Sequence, residues 1–217
     1  MAGSARACKL RARSGLLLTP AMTREMLFAL ALGYLLGSIP FGLVLTRFAG
    51  KGDIREIGSG NIGATNVLRT GSKPLAALTL MLDCLKATLA IVLARLLFGF
   101  ETQPFAAAGA FLGHLYPVWL KFRGGKGAAT LLGVLIGLLW PAALVYAAVW
   151  ILLLLTIRIS SVAGMTAAIS APIAAAVLHS SYFPMLLGFA LLVLWKHREN
   201  IARLVAGTEP RIGRAKA

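Results

Sequence analysis

Residues 74–100 read PLAALTLMLDCLKATLAIVLARLLFGF. The stretch is apolar apart from Asp83, Lys86 and Arg95, and about 20 such residues cross a bilayer core as a helix. Six further apolar runs surround it, at Glu25–Phe48, Phe105–Leu120, Ala128–Trp140, Ala142–Ile157, Val162–Leu178 and Phe183–Trp195. The last five of the seven are short, so local thinning of the bilayer or partly inserted helices are expected for them. None alternates with the period of two that a transmembrane barrel requires. The 217 residues are 59% hydrophobic and only 13% charged, against about a quarter charged in an ordinary soluble domain. The reading is therefore all-α: a polytopic integral membrane protein with about seven transmembrane helices.

The net charge of +15 would suggest nucleic acid in a soluble protein. Here the basic residues lie between apolar runs, so no nucleic-acid partner is expected. Arg47–Lys73, Lys121–Lys126, Arg158 and Lys196–Lys216 hold 5, 3, 1 and 6 Lys and Arg, while the gaps at 101–104, around Pro141 and at 179–182 hold none. Positive charge marks the cytoplasmic side. Alternation then requires seven crossings, with the N-terminus outside, the C-terminus cytoplasmic and a hairpin at Trp140–Pro141. Residues 1–24 carry five basic residues and an apolar core, Gly15–Leu18, too short for a signal peptide. They read as a basic leader, disordered or an over-extended gene start with Met22 or Met26 as the true start. Residues 25–217 read as one membrane-embedded domain.

That topology puts every polar, glycine-rich segment on one face. The first is Gly58-Ser59-Gly60-Asn61-Ile62-Gly63-Ala64-Thr65-Asn66, followed by Val67-Leu68-Arg69. It spells GxGxxG, but no strand precedes it, so the dinucleotide-fold reading fails. Small residues still let backbone approach an anion. Ser59, Asn61, Thr65 and Asn66 add hydrogen-bonding groups, and Arg69 adds a forked donor suited to phosphate. The plainer alternative is a flexible loop of turn residues.

The second segment runs from His114 to Thr130 and contains Gly124-Gly125-Lys126-Gly127 directly before an apolar helix. A helix N-terminus beside a lysine is a ready phosphate site, although a basic cytoplasmic turn would look similar. The third, Lys196-His197-Arg198-Glu199-Asn200-Ile201-Ala202-Arg203, leaves the last run as an amphipathic helix with His197 and Asn200 on one face. Ser160 and Ser161 start the sixth run on the same side, as helix caps or ligand contacts. Asp83 and Lys86, three residues apart, are expected to pair structurally. Neither Cys8 nor Cys84 has metal or disulfide spacing.

These motifs, together with Gly37-Ser38-Ile39-Pro40-Phe41-Gly42, resemble the bacterial acyl-phosphate:glycerol-3-phosphate acyltransferase (PlsY) family, from about Leu27 to Gly213. The resemblance implies the first step of phospholipid synthesis in the bacterial inner membrane, with the active site on the cytoplasmic side. An acyl group passes from acyl phosphate to the sn-1 hydroxyl of glycerol 3-phosphate, giving lysophosphatidic acid and phosphate. It implies no metal or cofactor. Its partners are the two substrates, membrane lipid and a soluble or peripheral enzyme that produces acyl phosphate. Ser59, Arg69, His197 and Asn200 are placed in the catalytic centre. Asn61, Thr65, Asn66, Lys126, Gly124, Gly125, Gly127 and Ser161 are expected to bind substrate, with Gly124–Gly127 cradling the phosphate of glycerol 3-phosphate. No His is followed by Asp at the His-x4-Asp spacing of soluble acyltransferases.

Two further expectations concern mechanism. Ser59 is the one plausible covalent nucleophile, but a serine needs an oriented base, and neither His114 nor His197 has a carboxylate obviously placed to orient it. Direct transfer without an acyl-enzyme follows, with the proton passing to His197 or to a substrate phosphate. A carrier of a phosphorylated metabolite is the competing class; it would place polar groups at mid-membrane depth, where only Asp83 and Lys86 stand out.

Overall fold

A computed structural model describes residues 23–213, and the described residues are helical with no strand. The leader therefore lies almost wholly outside them, save Thr23 and Arg24. Thr23 caps the first helix by accepting from the Met26 N–H. The helices are α1 (Arg24–Gly37), α2 (Phe41–Phe48), α3 (Ala64–Leu68), α4 (Lys73–Phe98), α5 (Gln103–Leu115), α6 (Ala128–Leu138), α7 (Trp140–Thr156), α8 (Ser160–Val177), α9 (Phe183–Lys196) and α10 (Arg198–Val205). Among the described residues three stretches are long and apolar enough to cross a membrane: α1 with α2, α4, and α8. Large apolar side chains such as Leu96, Trp140, Leu155 and Val177 point outward, as lipid-facing positions do.

The first run, expected to be a single span, is broken at Ser38–Pro40. Pro40 lacks an N–H and pushes Ile39 away from helical geometry, so the Ile39 carbonyl is released from the helix ladder. Lys86 Nζ takes it at 2.8 Å. Glycines hold α1 against α5. A Cβ at Gly33 or Gly37 would strike the Ala106 or Ala110 carbonyl, and one at Gly109 or Gly113 would strike Leu30 or Tyr34. Two small-xxx-small pairs thus bring two backbones together, which is how helices associate where no hydrophobic effect drives them.

α4, about 39 Å long at 1.5 Å per residue, is the spine. It touches α1, α2, α3, α5 and α6. The core around it is mostly alanine, with Phe111 stacked on Phe189 at 4.2 Å between ring centres. α6 and α7 fold back on each other. The Tyr146 hydroxyl donates to the Ala128 carbonyl at 2.9 Å, whereas collinear helices would hold those residues roughly 27 Å apart. The break sits at Leu139, and Pro141 falls in the first turn of α7, where its missing N–H costs nothing. α5 stops at Leu115 before Pro117, so the third run ends in a 3-10 turn rather than a helix.

Candidate active site

The three polar motifs, 50 to 140 residues apart in sequence, line one cavity of about 960 Å³. Ser59, Asn61, Thr65, Asn66 and Arg69 form one wall, Lys126 and Gly127 a second, and His197 and Asn200 a third, with Ser161 beside them. Leu80, Leu132, Ala147, Trp150 and Ile151 make its apolar part.

Asn66 organises the first wall. Only 2% exposed, it donates from Nδ2 to the Ile54 carbonyl at 2.6 Å. Its Oδ1 accepts from the Ser59 N–H at 3.2 Å and from Arg69 Nη1 at 3.3 Å. Asn66, expected to bind substrate, lines the cavity and ties Ser59 and Arg69 together through Oδ1. Gly58 has φ +60°, and a Cβ there would collide with the Arg69 guanidinium. Asn61 Oδ1 accepts from the Gly63 N–H at 2.8 Å and steers the chain into α3. Ser59 Oγ lies 3.5 Å from its nearest protein partner, too far for a strong bond. Thr65 and Arg69 are exposed.

The glycine loop divides into two parts. The Gly124 and Gly125 N–H groups donate to the Leu115 and His114 carbonyls at 3.2 and 3.0 Å. They close the C-terminus of α5, are unavailable to an anion, and stand outside the cavity lining. The free donors come one step later. The N–H groups of Lys126, Gly127, Ala128 and Ala129 make no backbone hydrogen bond among the described residues, and all four residues line the cavity. Gly127, at φ +89°, makes the turn that starts α6. The N-terminus of α6, with Lys126 beside it, thus has the donors that can hold an anion.

The third wall rests on Glu209, which the sequence reading did not single out. Its carboxylate accepts from Ser161 Oγ at 2.7 Å, Asn200 Nδ2 at 2.6 Å and Arg203 Nε at 2.7 Å. That orients Asn200 so that Oδ1 accepts a hydrogen bond from Lys126 Nζ. Burial would raise the Glu209 carboxyl, but the three hydrogen bonds and the Arg203 charge outweigh it and hold it below the usual range. Residues 208–213 form a strap over the cavity mouth, tied down where the Ile212 N–H meets the Arg158 carbonyl at 2.7 Å. Burial, with Arg203 nearby, pushes the Lys126 ammonium down to about 8.

His197 donates from Nδ1 to the Val193 carbonyl at 2.8 Å. Its Nε2 is left as an acceptor, and burial pushes the ring down to about 4, so it is neutral at pH 7. Asp83 and Lys86 pair as expected, at 2.6 Å. Contrary to expectation, His114 does have a carboxylate near it: Asp83 Oδ1 lies 3.7 Å from Nδ1, with Lys86 Nζ closer at 3.0 Å.

Residues 27–207 match the model of the glycerol-3-phosphate acyltransferase family. The chain belongs to this family. Curated relatives called glycerol-3-phosphate acyltransferase include those of Mesorhizobium japonicum, 58% identical over 193 residues (88% of this chain, 98% of that one), and Nitrobacter winogradskyi, 58% identical over 188 residues (86% and 96%). Among solved structures, the glycerol 3-phosphate form of the integral membrane glycerol 3-phosphate acyltransferase PlsY aligns with a TM-score of 0.81 at 40% identity, covering 87% of this chain and 96% of that one. Its lysophosphatidic acid form aligns at 0.79, with the same identity and 87% and 95% coverage. The family match takes in all three motifs and ends two residues before Glu209.

Proposed function

We propose that the chain transfers an acyl group from acyl phosphate to the sn-1 hydroxyl of glycerol 3-phosphate, forming lysophosphatidic acid and inorganic phosphate. The observation that carries this reading is one cavity in which Arg69, Lys126 and the unpaired α6 N–H groups meet an apolar wall. Both substrates bear phosphate, and one bears an acyl chain. The phosphate of glycerol 3-phosphate rests at the α6 N-terminus and Lys126. Arg69, across the cavity, holds the phosphate of the donor. The acyl chain lies along Leu80, Leu132, Trp150 and Ile151.

In the reaction the sn-1 oxygen attacks the acyl carbon, the carbon–oxygen bond to phosphate breaks, and phosphate leaves with that electron pair. Ser59 and His197 Nε2 position the attacking hydroxyl. A histidine held near 4 is a poor proton acceptor at pH 7, and a substrate phosphate with a second pKa near 6 is the better one. The hydroxyl proton therefore goes to phosphate. Arg69, Lys126 and the α6 N–H groups stabilise the charge that develops.

The cavity opens to the cytoplasm in a seven-crossing chain with its N-terminus outside, in the bacterial inner membrane, where a soluble or peripheral enzyme supplies acyl phosphate. Purified protein given acyl phosphate and labelled glycerol 3-phosphate is expected to yield labelled lysophosphatidic acid, and to yield none with acyl-CoA. Activity with acyl-CoA alone would overturn the donor assignment. For topology, an impermeant thiol reagent added to intact cells is expected to miss an Arg123→Cys variant; labelling there would reverse the orientation.

A further inference from the structure

His114 lines the cavity wall, and the chemistry above gives it no task. It closes α5 and is 4% exposed. Lys86 Nζ has three neighbours: the Ile39 carbonyl at 2.8 Å, Asp83 Oδ1 at 2.6 Å and His114 Nδ1 at 3.0 Å. An ammonium carries three protons and no acceptor. The carbonyl and the carboxylate take two, so the third points at His114 Nδ1. That nitrogen is an acceptor, and the ring's own proton sits on Nε2. Nε2 forms no hydrogen bond among the described residues. Thr130 Oγ1 is the one fully enclosed side-chain polar atom there without a partner, so Nε2 is not sealed in protein. It lies beside Gly125, where a Cβ would strike it, and His114 itself lines the cavity.

We infer that His114 is a further substrate-contacting residue of this site, presenting a neutral Nε2–H to an anionic oxygen, with Lys86 the positioning residue that fixes this tautomer. The oxygen is either on a bound phosphate or on the acyl carbonyl as negative charge builds there. The two cavity histidines then hold opposite tautomers: His197 offers a lone pair and His114 a proton. Because Asp83 cancels the Lys86 charge, the cluster supplies a fixed donor without adding net charge to a site already rich in cations. Such a donor needs no reorganisation as charge develops, which is where hydrogen bonds accelerate reactions most. His114 is on this reading no general base, since its only exposed nitrogen is already protonated.

The inference rests on the acyltransferase reading, and one kinetic series separates the two. With wild-type protein, acyl phosphate and labelled glycerol 3-phosphate, absence of lysophosphatidic acid would sink that reading itself. Given an active wild type, His114→Ala is expected to lose about 100-fold in kcat/KM, and His114→Gln, whose amide N–H reaches the same point, to recover to within about tenfold of wild type. A loss confined to kcat assigns the oxygen to the acyl carbonyl. A raised KM for one substrate assigns it to that substrate's phosphate. Asp83→Asn with Lys86→Met, which neutralises the pair together, is expected to lower kcat/KM in the His114 protein and to add little to His114→Ala. Nitrogen NMR of histidine-labelled wild-type protein, independent of any variant's folding, is expected to show one ring protonated on Nε2 with Nδ1 bare, its signal lost in His114→Gln. Full activity in His114→Ala, no recovery in His114→Gln, additive losses, or a His114 ring protonated on Nδ1 would each overturn the inference.

Discussion

Two polar clusters flank the cavity and treat their hydrogen bonds differently. Asp83, Lys86 and His114 sit among helices and are almost closed: every Lys86 proton has a partner. Lys126, Asn200, Arg203 and Glu209 sit in loops and a short helix, and they border donors that are unpaired or weakly paired among the described residues, namely the α6 N–H groups and Ser59 Oγ, 3.5 Å from Asn66 Oδ1. The contrast follows from solvent. Inside an apolar bundle no water compensates an unmet charge, so the cluster must satisfy itself. Where solvent can reach, water compensates a donor the protein leaves unmet, so such donors need no protein partner.

The largest effect is expected where the closed cluster is broken on one side. Asp83→Ala alone leaves an uncompensated buried ammonium and should cost about 3–5 kcal/mol, read as a large fall in detergent-solubilised thermal stability. Asp83→Asn with Lys86→Met should be far milder; equal losses would mean that the pair does not carry the contrast. Next, Lys126→Ala should raise KM for glycerol 3-phosphate by about one to two orders of magnitude, equivalent to about 1.4–2.8 kcal/mol, with little change in melting temperature.

The same lysine gives a pH signature. On the proposed reading its ammonium form binds phosphate, and burial pushes that ammonium down to about 8. Below that pH the Lys126 contribution to kcat/KM is complete. Above it, kcat/KM for glycerol 3-phosphate should fall about tenfold per unit, and Lys126→Arg should move the fall to higher pH. Glu209→Gln, which weakens the hold on Asn200 and Arg203, should cost about tenfold in kcat/KM; no change would detach the strap from the site. The smallest effect belongs to the surface. Arg55→Ala removes a partner of Asp53 that Arg47 also serves, and should shift stability by no more than about 0.2–1 kcal/mol.

The helical membrane fold and the three motifs were legible because apolar runs and glycine-rich polar segments are local patterns. The roles inside the motifs were less so. Asn66 and Arg69 share a motif with Ser59, yet only the fold shows that Asn66 faces inward to hold the other two. The Gly124 and Gly125 N–H groups looked free because nothing local reveals that α5 ends beneath them and needs capping. Glu209 meets Ser161 across 48 residues, and Lys86 meets His114 across 28. Such pairings arise from helix packing and carry no sequence period. A lone acid in a basic tail was the one available hint for Glu209. The break at Pro40 was visible as a residue, but its consequence, a freed carbonyl for Lys86, depends on α4 lying alongside.

Direct transfer in the shared cavity is tested most sharply by rapid quenching of the enzyme with acyl-labelled acyl phosphate in the absence of glycerol 3-phosphate. The expected result is no label on denatured protein, followed by immediate formation of labelled lysophosphatidic acid once glycerol 3-phosphate is added. Stoichiometric label on Ser59, chased off by glycerol 3-phosphate at the turnover rate, would contradict it.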